Sequence, residues 1–211
     1  MTARYLVMSR LIVSISLLAV TSIVLLLSAC KKEEQEAVVD RDTPAFHIAE
    51  SEKLVIPDAI ALPENLPGGN SRVVTFFAEG VQKYKAQEVP GSNPVSYQWV
   101  FVAPQADLYD ATNRKVGTHS AGPTWQLSEA DSLYGQAFSP PRTAASSDAN
   151  SIDWLLLMPK TDKTPTGIFS HVSYVQRIDT EGGKAPAAPP ESATETVDAH
   201  YTAIYRFTRK N

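Results

Sequence analysis

Short apolar runs, interrupted by Pro, Gly and Asn, recur along the chain from residue 72 onward. Several of these runs are rich in β-branched and aromatic residues, and their spacing suits strands joined by turns. The pattern predicts an all-β domain, either an antiparallel β-sandwich or a barrel-like sheet. The predicted strands cover residues 72–78, 81–86, 95–102, 115–120, 124–127, 132–139, 152–159, 168–178 and 199–208.

Alternation with a period of two marks two of these runs as strands with one face in a core. The first run places Tyr97, Trp99 and Phe101 on one face. The second does the same near the C-terminal end, with Tyr201, Ala203, Tyr205 and Phe207. Residues 154–158 are instead apolar throughout, which predicts a strand that is covered on both faces.

The N-terminal segment follows another pattern. Arg4 and Arg10 precede an apolar segment, Leu11–Leu27, and small residues then lead to Cys30. The order positive, apolar, small is typical of a secretion signal, which we place at residues 1–29. The alternative is a permanent transmembrane anchor, but the apolar segment lies at the short limit for spanning a bilayer.

Residues 27–30, Leu-Ser-Ala-Cys, resemble a bacterial lipobox and favour cleavage before Cys30. We therefore predict that Cys30 is acylated and that the lipid bilayer is a partner through this residue. Met1 and Met8 are both compatible starts and give the same mature end. Because Lys31 stands where an aspartate would resemble an inner-membrane retention signal, we expect a cell-envelope protein, lipid-anchored at the periplasmic face of an outer membrane.

The chain beyond the signal divides into a tether and one domain. Residues 30–45 are charged and lack sustained periodicity, which predicts a flexible tether behind the lipidated cysteine. Residues 46–211 have the length of a single domain. Pro57, Pro63 and Pro67 predict a loop-like entry to this domain rather than a long helix.

The net charge limits the classes of partner, and the cysteine content limits how the domain can be stabilised. From Cys30 onward the chain carries 23 acidic and 17 basic residues, a net charge of −6. A nucleic-acid partner is therefore excluded, since such proteins present a basic face. The single cysteine allows no intrachain disulfide, so the domain depends on its apolar core.

The usual signatures of catalysis or cofactor binding are missing from the sequence. No phosphate-binding glycine loop, dinucleotide fingerprint or Gly-x-Ser-x-Gly elbow occurs. His47, His119, His171 and His200 are far apart and form no short pair of the kind that marks zinc sites. A site built on the last three would require convergence in space, and hydrogen-bonding roles are the simpler interpretation. We predict no metal and no cofactor.

Two polar and aromatic segments carry the candidate pocket. In residues 116–125, glycines flank His119, and Gly122-Pro123 predicts a turn that leads to Trp125. Residues 176–186 hold Arg177 and Thr180 before a glycine turn. Gln82 and Tyr84 share one face of an earlier strand and complete the set. The alternative is structural: a core ring at Trp125, a hydrogen-bonding staple at His119 and a surface ion pair at Arg177.

The order of several segments resembles a known family. The segments are residues 77–84, 99–101 with 104–110, 116–119 with 122–125, 154–157, Gln176-Arg177, 180–186 and 201–207. Together they resemble the bacterial and fungal family called domain of unknown function 3455, over roughly residues 55–208. The resemblance implies a secreted, predominantly β domain and no settled activity.

Three functions remain open. The first is a non-enzymatic module that binds a small molecule, glycan or protein through the candidate pocket, where aromatic rings lie beside a few polar groups. The second is a hydrolase or lyase with His119 as general base and Arg177 or Thr180 holding an anionic substrate. That chemistry requires a carboxylate to orient His119, and the candidates are Asp107, Asp110 and Asp179. The third is a purely structural envelope protein. We expect the binding module.

Overall fold

The computed structural model describes residues 40–211. The predicted signal peptide, the lipobox with Cys30 and most of the predicted tether lie outside the described residues. Residues 40–45, which were predicted to belong to the tether, are grouped with the rest of the domain. Within this part of the chain, no helix is long and apolar enough to cross a membrane.

Eight antiparallel strands form a closed barrel in which each strand pairs with the next in sequence and the last pairs with the first. The prediction of an all-β fold is thus confirmed, and of its two forms the sheet adopts the barrel. The strands are β1 (Asn70–Glu88), β2 (Tyr97–Tyr109), β3 (Lys115–Ser120), β4 (Thr124–Gln126), β5 (Ser132–Ala144), β6 (Trp154–Pro159), β7 (Tyr174–Gly182) and β8 (Thr196–Lys210).

The apolar residues form two clusters, one on each side of the sheet. The barrel interior holds the larger cluster, with Phe76, Trp125, Leu157, Tyr205 and Phe207 among its members. The second cluster lies on the outer surface of the barrel and is built from Ile48, Ile60, Phe77, Trp154, Leu156, Ile178 and Ile204. Strands that contribute to both clusters are therefore apolar on both faces, as predicted for residues 154–158.

A short N-terminal cap covers the outer cluster. Helix α1 (Pro44–Ser51) begins with Thr43 as its N-cap, whose side chain accepts a hydrogen bond from the Phe46 amide, and with a proline in its first turn. A 3₁₀ turn, Asp58–Ile60, follows after an extended stretch. The cap was not predicted from the sequence, because α1 is short and its first residues lie within a charged segment.

The largest differences from the predicted strands are in β1, β2, β5 and β7. The two predicted strands from residue 72 to 86 are one continuous strand, β1. β5, predicted to end at residue 139, continues through two prolines to Ala144. β2 continues through Pro104 to Tyr109, which the sequence prediction omitted. The predicted strand 168–178 begins with a 3₁₀ turn, Gly167–Phe169, and becomes β7 only at Tyr174.

The aromatic face of β2 is a correction to the expected core. Phe101 is 51% exposed, and the buried residues of this strand are instead Pro104, Ala106 and Leu108. An irregularity in the β1–β2 register, where Lys83 pairs with Ala103 but Tyr84 pairs with Phe101, leaves Val102 outside the ladder. Phe101 therefore faces the same side as Pro104, and it is exposed because it lies at the rim of a cavity rather than in the packed core. On β8 the predicted inward face is confirmed, since the interior cluster contains Tyr201, Ala203, Tyr205 and Phe207.

Candidate functional site

A cavity of about 380 Å³ lies within the barrel, and every strand contributes to its wall. This volume falls in the range of small-molecule pockets. Most of the wall is apolar, with His119, Gln82, Tyr205 and Arg177 as its polar members. The lining residues are Gln82, Phe101, Val102, Pro104, His119, Gly122, Pro123, Trp125, Ala137, Leu155, Leu157, Arg177 and Tyr205. We call this space the inner cavity.

A second, more open cavity of about 410 Å³ adjoins the first. The two share Gln82, Phe101, Leu155 and Arg177, so these residues lie at the junction. The other residues that line this outer cavity are Tyr84, Ile152, Asp153 and Lys184. Phe101 and Val102 are each half exposed, which gives the inner cavity an apolar rim.

His119 lies in the floor of the inner cavity and is almost fully buried. Its ring stacks on Trp125 at 4.7 Å between ring centroids, and Tyr205 lies 4.8 Å away on a tilted plane. Its Nδ1 is 2.9 Å from the Thr124 carbonyl oxygen, so Nδ1 carries the proton and donates it. Burial lowers the pKa of His119 to about 4, and the charge of Arg177 acts in the same direction, so the ring is neutral at pH 7.

Three lining residues carry a buried polar atom for which residues 40–211 supply no hydrogen bond of good geometry: Gln82 Nε2, Trp125 Nε1 and Tyr205 Oη. The Tyr205 hydroxyl nevertheless lies close to the Tyr201 hydroxyl and to the Arg177 guanidinium, and Tyr201 lies close to the Gln82 amide. Buried polar groups in folded proteins nearly always have a partner, so a cluster of exceptions requires an explanation. Tyr201, which lies on the same inner face of β8 as Tyr205, also has a hydroxyl without a hydrogen bond of good geometry within the described residues. Burial raises the pKa values of both phenols, which keeps them neutral.

Arg177 lies at the junction of the two cavities. Its Nε and Nη2 donate to the Asp153 carbonyl oxygen at 3.1 and 2.6 Å, which orients the guanidinium. Among the ion pairs of residues 40–211, none includes Arg177. Nearby, the Tyr84 hydroxyl donates to the Gly183 carbonyl oxygen at 2.7 Å.

Residues 67–209 match the family model described as protein of unknown function, DUF3455. The chain belongs to the DUF3455 family. The matched residues include all eight strands except for the last residue of β8, and they include every residue that lines the two cavities. Helix α1 lies before them. No curated protein and no solved structure matches the chain.

In this DUF3455 barrel, the sequence-predicted residues fall into two groups. Gln82, His119, Trp125 and Arg177 all line the inner cavity, and Tyr84 lines the outer one. Thr180 lines neither: its hydroxyl is buried and donates to the Ile152 carbonyl oxygen at 2.5 Å. The reason is the irregular pairing of β7 with β8 between Ile178 and Glu181, which turns this part of the strand out of the cavity wall.

The sequence did not reveal the remaining wall residues, chiefly Phe101, Val102, Leu155, Leu157 and Tyr205. A signal existed for Tyr205, since it lies on the predicted inward face of β8. The β7–β8 register pairs it with Arg177, and that register is set by long-range pairing rather than by local sequence.

Within residues 40–211, no carboxylate lines the inner cavity beside His119, although general-base catalysis would require one to orient the ring. Asp107 pairs with Lys115 at 2.8 Å, and Asp110 accepts hydrogen bonds from Thr112 and from the Arg114 guanidinium in the following turn. Burial raises the pKa of the Asp179 carboxyl, but this residue lies outside the wall of the inner cavity. His119 Nδ1 instead bonds to a backbone carbonyl.

No group of three His, Cys, Asp or Glu side chains within residues 40–211 is placed to hold a metal ion. His171 is exposed in the turn before β7, and His200 is exposed on β8 with its Nε2 3.5 Å from Glu79 Oε1. His47 belongs to α1 and stacks on Phe77 at 4.9 Å. The four histidines therefore lie in four separate environments.

Proposed function

We propose that this DUF3455 protein is a binding module that takes a small molecule into its inner cavity. The observation that carries the proposal is the cavity itself: a closed barrel leaves about 380 Å³ of space lined by apolar side chains and by His119, Gln82, Tyr205 and Arg177. A barrel built only for stability would fill this space with side chains, because protein interiors pack closely and voids are costly.

The chemistry of the wall suits binding better than catalysis. His119 is neutral, its Nδ1 is occupied by the Thr124 carbonyl, and a base with a pKa of about 4 is weak at pH 7. Apolar surface and a few polar groups at fixed positions are the usual composition of a small-molecule pocket. We therefore favour a small molecule as ligand over a glycan or a protein, which would require a broader exposed surface.

Isothermal titration of the full chain in detergent micelles with 1-naphthaleneacetamide, a neutral aromatic probe, tests this proposal. Titration into micelles alone supplies the blank. We expect saturable binding at one site per chain. Ala137→Trp places a large ring at an exposed position of the wall and should weaken binding at least about tenfold, a change of about 1.4 kcal/mol.

Gln98→Trp is the matched control, because Gln98 is exposed on β2 and lines neither cavity. This variant should bind the probe as the original chain does. Absence of saturable binding, or equal losses in the two tryptophan variants, would contradict the proposal.

Anchoring at the cell envelope forms the second part of the proposal, and the sequence pattern ending at Cys30 supports it. Acylation of this cysteine by more than one chain would hold the barrel at a membrane, since a single chain binds only marginally. The absence of an aspartate after Cys30 favours the periplasmic face of an outer membrane. A Cys30→Ser variant should lose both the acyl mass and membrane association. A mature protein that remains in the membrane fraction without acyl mass would contradict this part.

A further inference from the structure

The charges around the inner cavity point to the class of ligand. Of its thirteen lining residues, Arg177 is the only one with a formal charge at pH 7, since no lining residue within the described chain is acidic. Arg177 is half-buried, and the Asp153 carbonyl orients its guanidinium without neutralising it. No ion pair among residues 40–211 includes Arg177, so its charge is available to a ligand that enters the cavity.

The outer cavity adds no net charge to that of Arg177. Besides the shared Arg177 it contains Lys184 and Asp153, which are opposite in charge and both exposed. The Lys184 ammonium donates to the Ala149 carbonyl oxygen at 2.6 Å. The junction of the two cavities is therefore positive by one charge, and that charge belongs to Arg177.

The position of Arg177 relative to the apolar wall adds a second constraint. Phe101 and Leu155 lie with it at the junction, while Trp125, Leu157 and Pro123 line the inner cavity beyond. A ligand that pairs with the guanidinium at the junction would thus extend an apolar body into the barrel. Planar arginine groups match carboxylates well, because they donate two parallel hydrogen bonds.

We propose that the inner cavity binds a small amphipathic monoanion, with a carboxylate on Arg177 and an aromatic or aliphatic body against the apolar wall. This inference rests on the proposed function and specifies its ligand class. Gln82 and Tyr205 lie in the same wall as Arg177. The alternative is a purely structural role, in which the Arg177 guanidinium only fixes the backbone at Asp153.

Two matched probes test the inference on the full chain in detergent micelles. 1-Naphthaleneacetate and 1-naphthaleneacetamide share one ring system and differ only in the charge of the head group. We expect the acetate to bind at least about tenfold more tightly, as is typical when a hydrogen bond to a charged group is added. Arg177→Gln should abolish this preference, and Arg177→Lys, which keeps the charge, should retain part of it.

Arg142→Gln is the matched control. Arg142 also donates to backbone carbonyls, those of Asp58, Ala59 and Ala61, but it lies on the outer side of the barrel and lines neither cavity. Its replacement should leave the preference for the acetate intact.

The outcomes separate this inference from the proposed function. Equal affinity for both probes in the original chain, or a preference that survives Arg177→Gln, would overturn the anion proposal while leaving a small-molecule cavity in place. Failure of both probes to bind would overturn the proposed function itself.

Discussion

Two adjacent cross-strand pairs of polar residues on β7 and β8 differ in their hydrogen-bond partners, according to the side of the barrel on which they lie. Gln176 pairs with Arg206 on the outer face, and one residue further, Arg177 pairs with Tyr205 on the inner face. The outer pair is bound to the cap: Gln176 Nε2 donates to the Ile60 carbonyl at 2.9 Å and Arg206 Nη2 donates to the Ser51 carbonyl. The inner pair lines a cavity, and the Tyr205 hydroxyl makes no hydrogen bond within the described residues.

A buried polar cluster can serve the fold or a ligand, and its partners distinguish the two roles. The outer pair fixes the cap to the barrel through backbone oxygens. Unpartnered atoms also occur on this side of the described sheet, at Trp154 Nε1, Arg206 Nε and Thr208 Oγ1, but none of these residues lines one of the two cavities. Of the two pairs, the inner one has its unpartnered atom, the Tyr205 hydroxyl, on a residue that lines a cavity. We therefore expect changes to the outer pair to affect stability and changes to the inner pair to affect binding.

The largest expected effect is on the outer side. Arg206→Ala should lower the free energy of unfolding by about 3 kcal/mol or more, because it leaves the buried Ser51 carbonyl without this donor and removes a side chain that is only 6% exposed. Urea denaturation measures the change. Arg209→Ala, an exposed arginine on the same strand, should remain within about 0.5 kcal/mol. Equal effects at the two positions would contradict a structural role for the outer pair.

On the inner side, His119 predicts a dependence of stability on pH. Its pKa is about 4 in the folded chain, against an ordinary value of 6.5. Above pH 6.5 the ring is neutral in both states. Between pH 6.5 and 4 only the unfolded chain takes up the proton, so the free energy of unfolding should fall with falling pH by about 3 kcal/mol.

His119→Gln isolates this contribution, since a glutamine amide also donates to a carbonyl but does not titrate. Several aspartates lose stabilising interactions in acid, and this loss is common to both chains. The difference between the two chains in urea denaturation from pH 7 to 4 should therefore report His119. Parallel pH profiles would show that the ring is accessible to protons in the folded state.

Removal of the Tyr205 hydroxyl should stabilise the protein, unlike the substitutions above. Tyr205→Phe removes a buried hydroxyl that has no hydrogen bond of good geometry within residues 40–211, so the free energy of unfolding should rise by about 1 kcal/mol. Thr180→Val is the opposite case, since its hydroxyl donates to the Ile152 carbonyl, and it should cost about 1 kcal/mol. Destabilisation by both changes would mean that Tyr205 already has a partner.

The smallest effect on stability is expected at Arg177. The side chain is half-buried and its partner, Asp153, is exposed, so Arg177→Gln should change the free energy of unfolding by less than about 1 kcal/mol. The same denaturation experiment checks this value. A loss as large as that for Arg206→Ala would assign Arg177 to the fold rather than to a ligand.

Local patterns predicted much of the fold because strands with one buried face follow a period of two. The alternation from Tyr201 to Phe207 and the apolar run from Trp154 were both interpreted correctly. Phe101 was expected in the packed core because alternation does not show that this end of β2 borders a cavity, and the second half of β2 was missed because Pro104 argues against a strand. Helix α1 was missed because it depends on packing against the barrel more than on its own eight residues.

The candidate site was predictable only as far as chemistry is visible in sequence. His119, Trp125 and Arg177 stood out because polar and aromatic residues lay beside glycines. Leu155 and Tyr205 did not, since nothing local distinguishes a wall residue from a core residue. Their role follows from barrel closure, which depends on long-range register.

A crystal structure of the full chain with 1-naphthaleneacetate would show whether the inner cavity is the binding site. We expect the carboxylate on the Arg177 guanidinium and the naphthyl ring in the inner cavity, against Leu155 and Trp125. A probe bound elsewhere on the protein, or an inner cavity that remains without the probe while the protein binds it in solution, would contradict binding in the inner cavity.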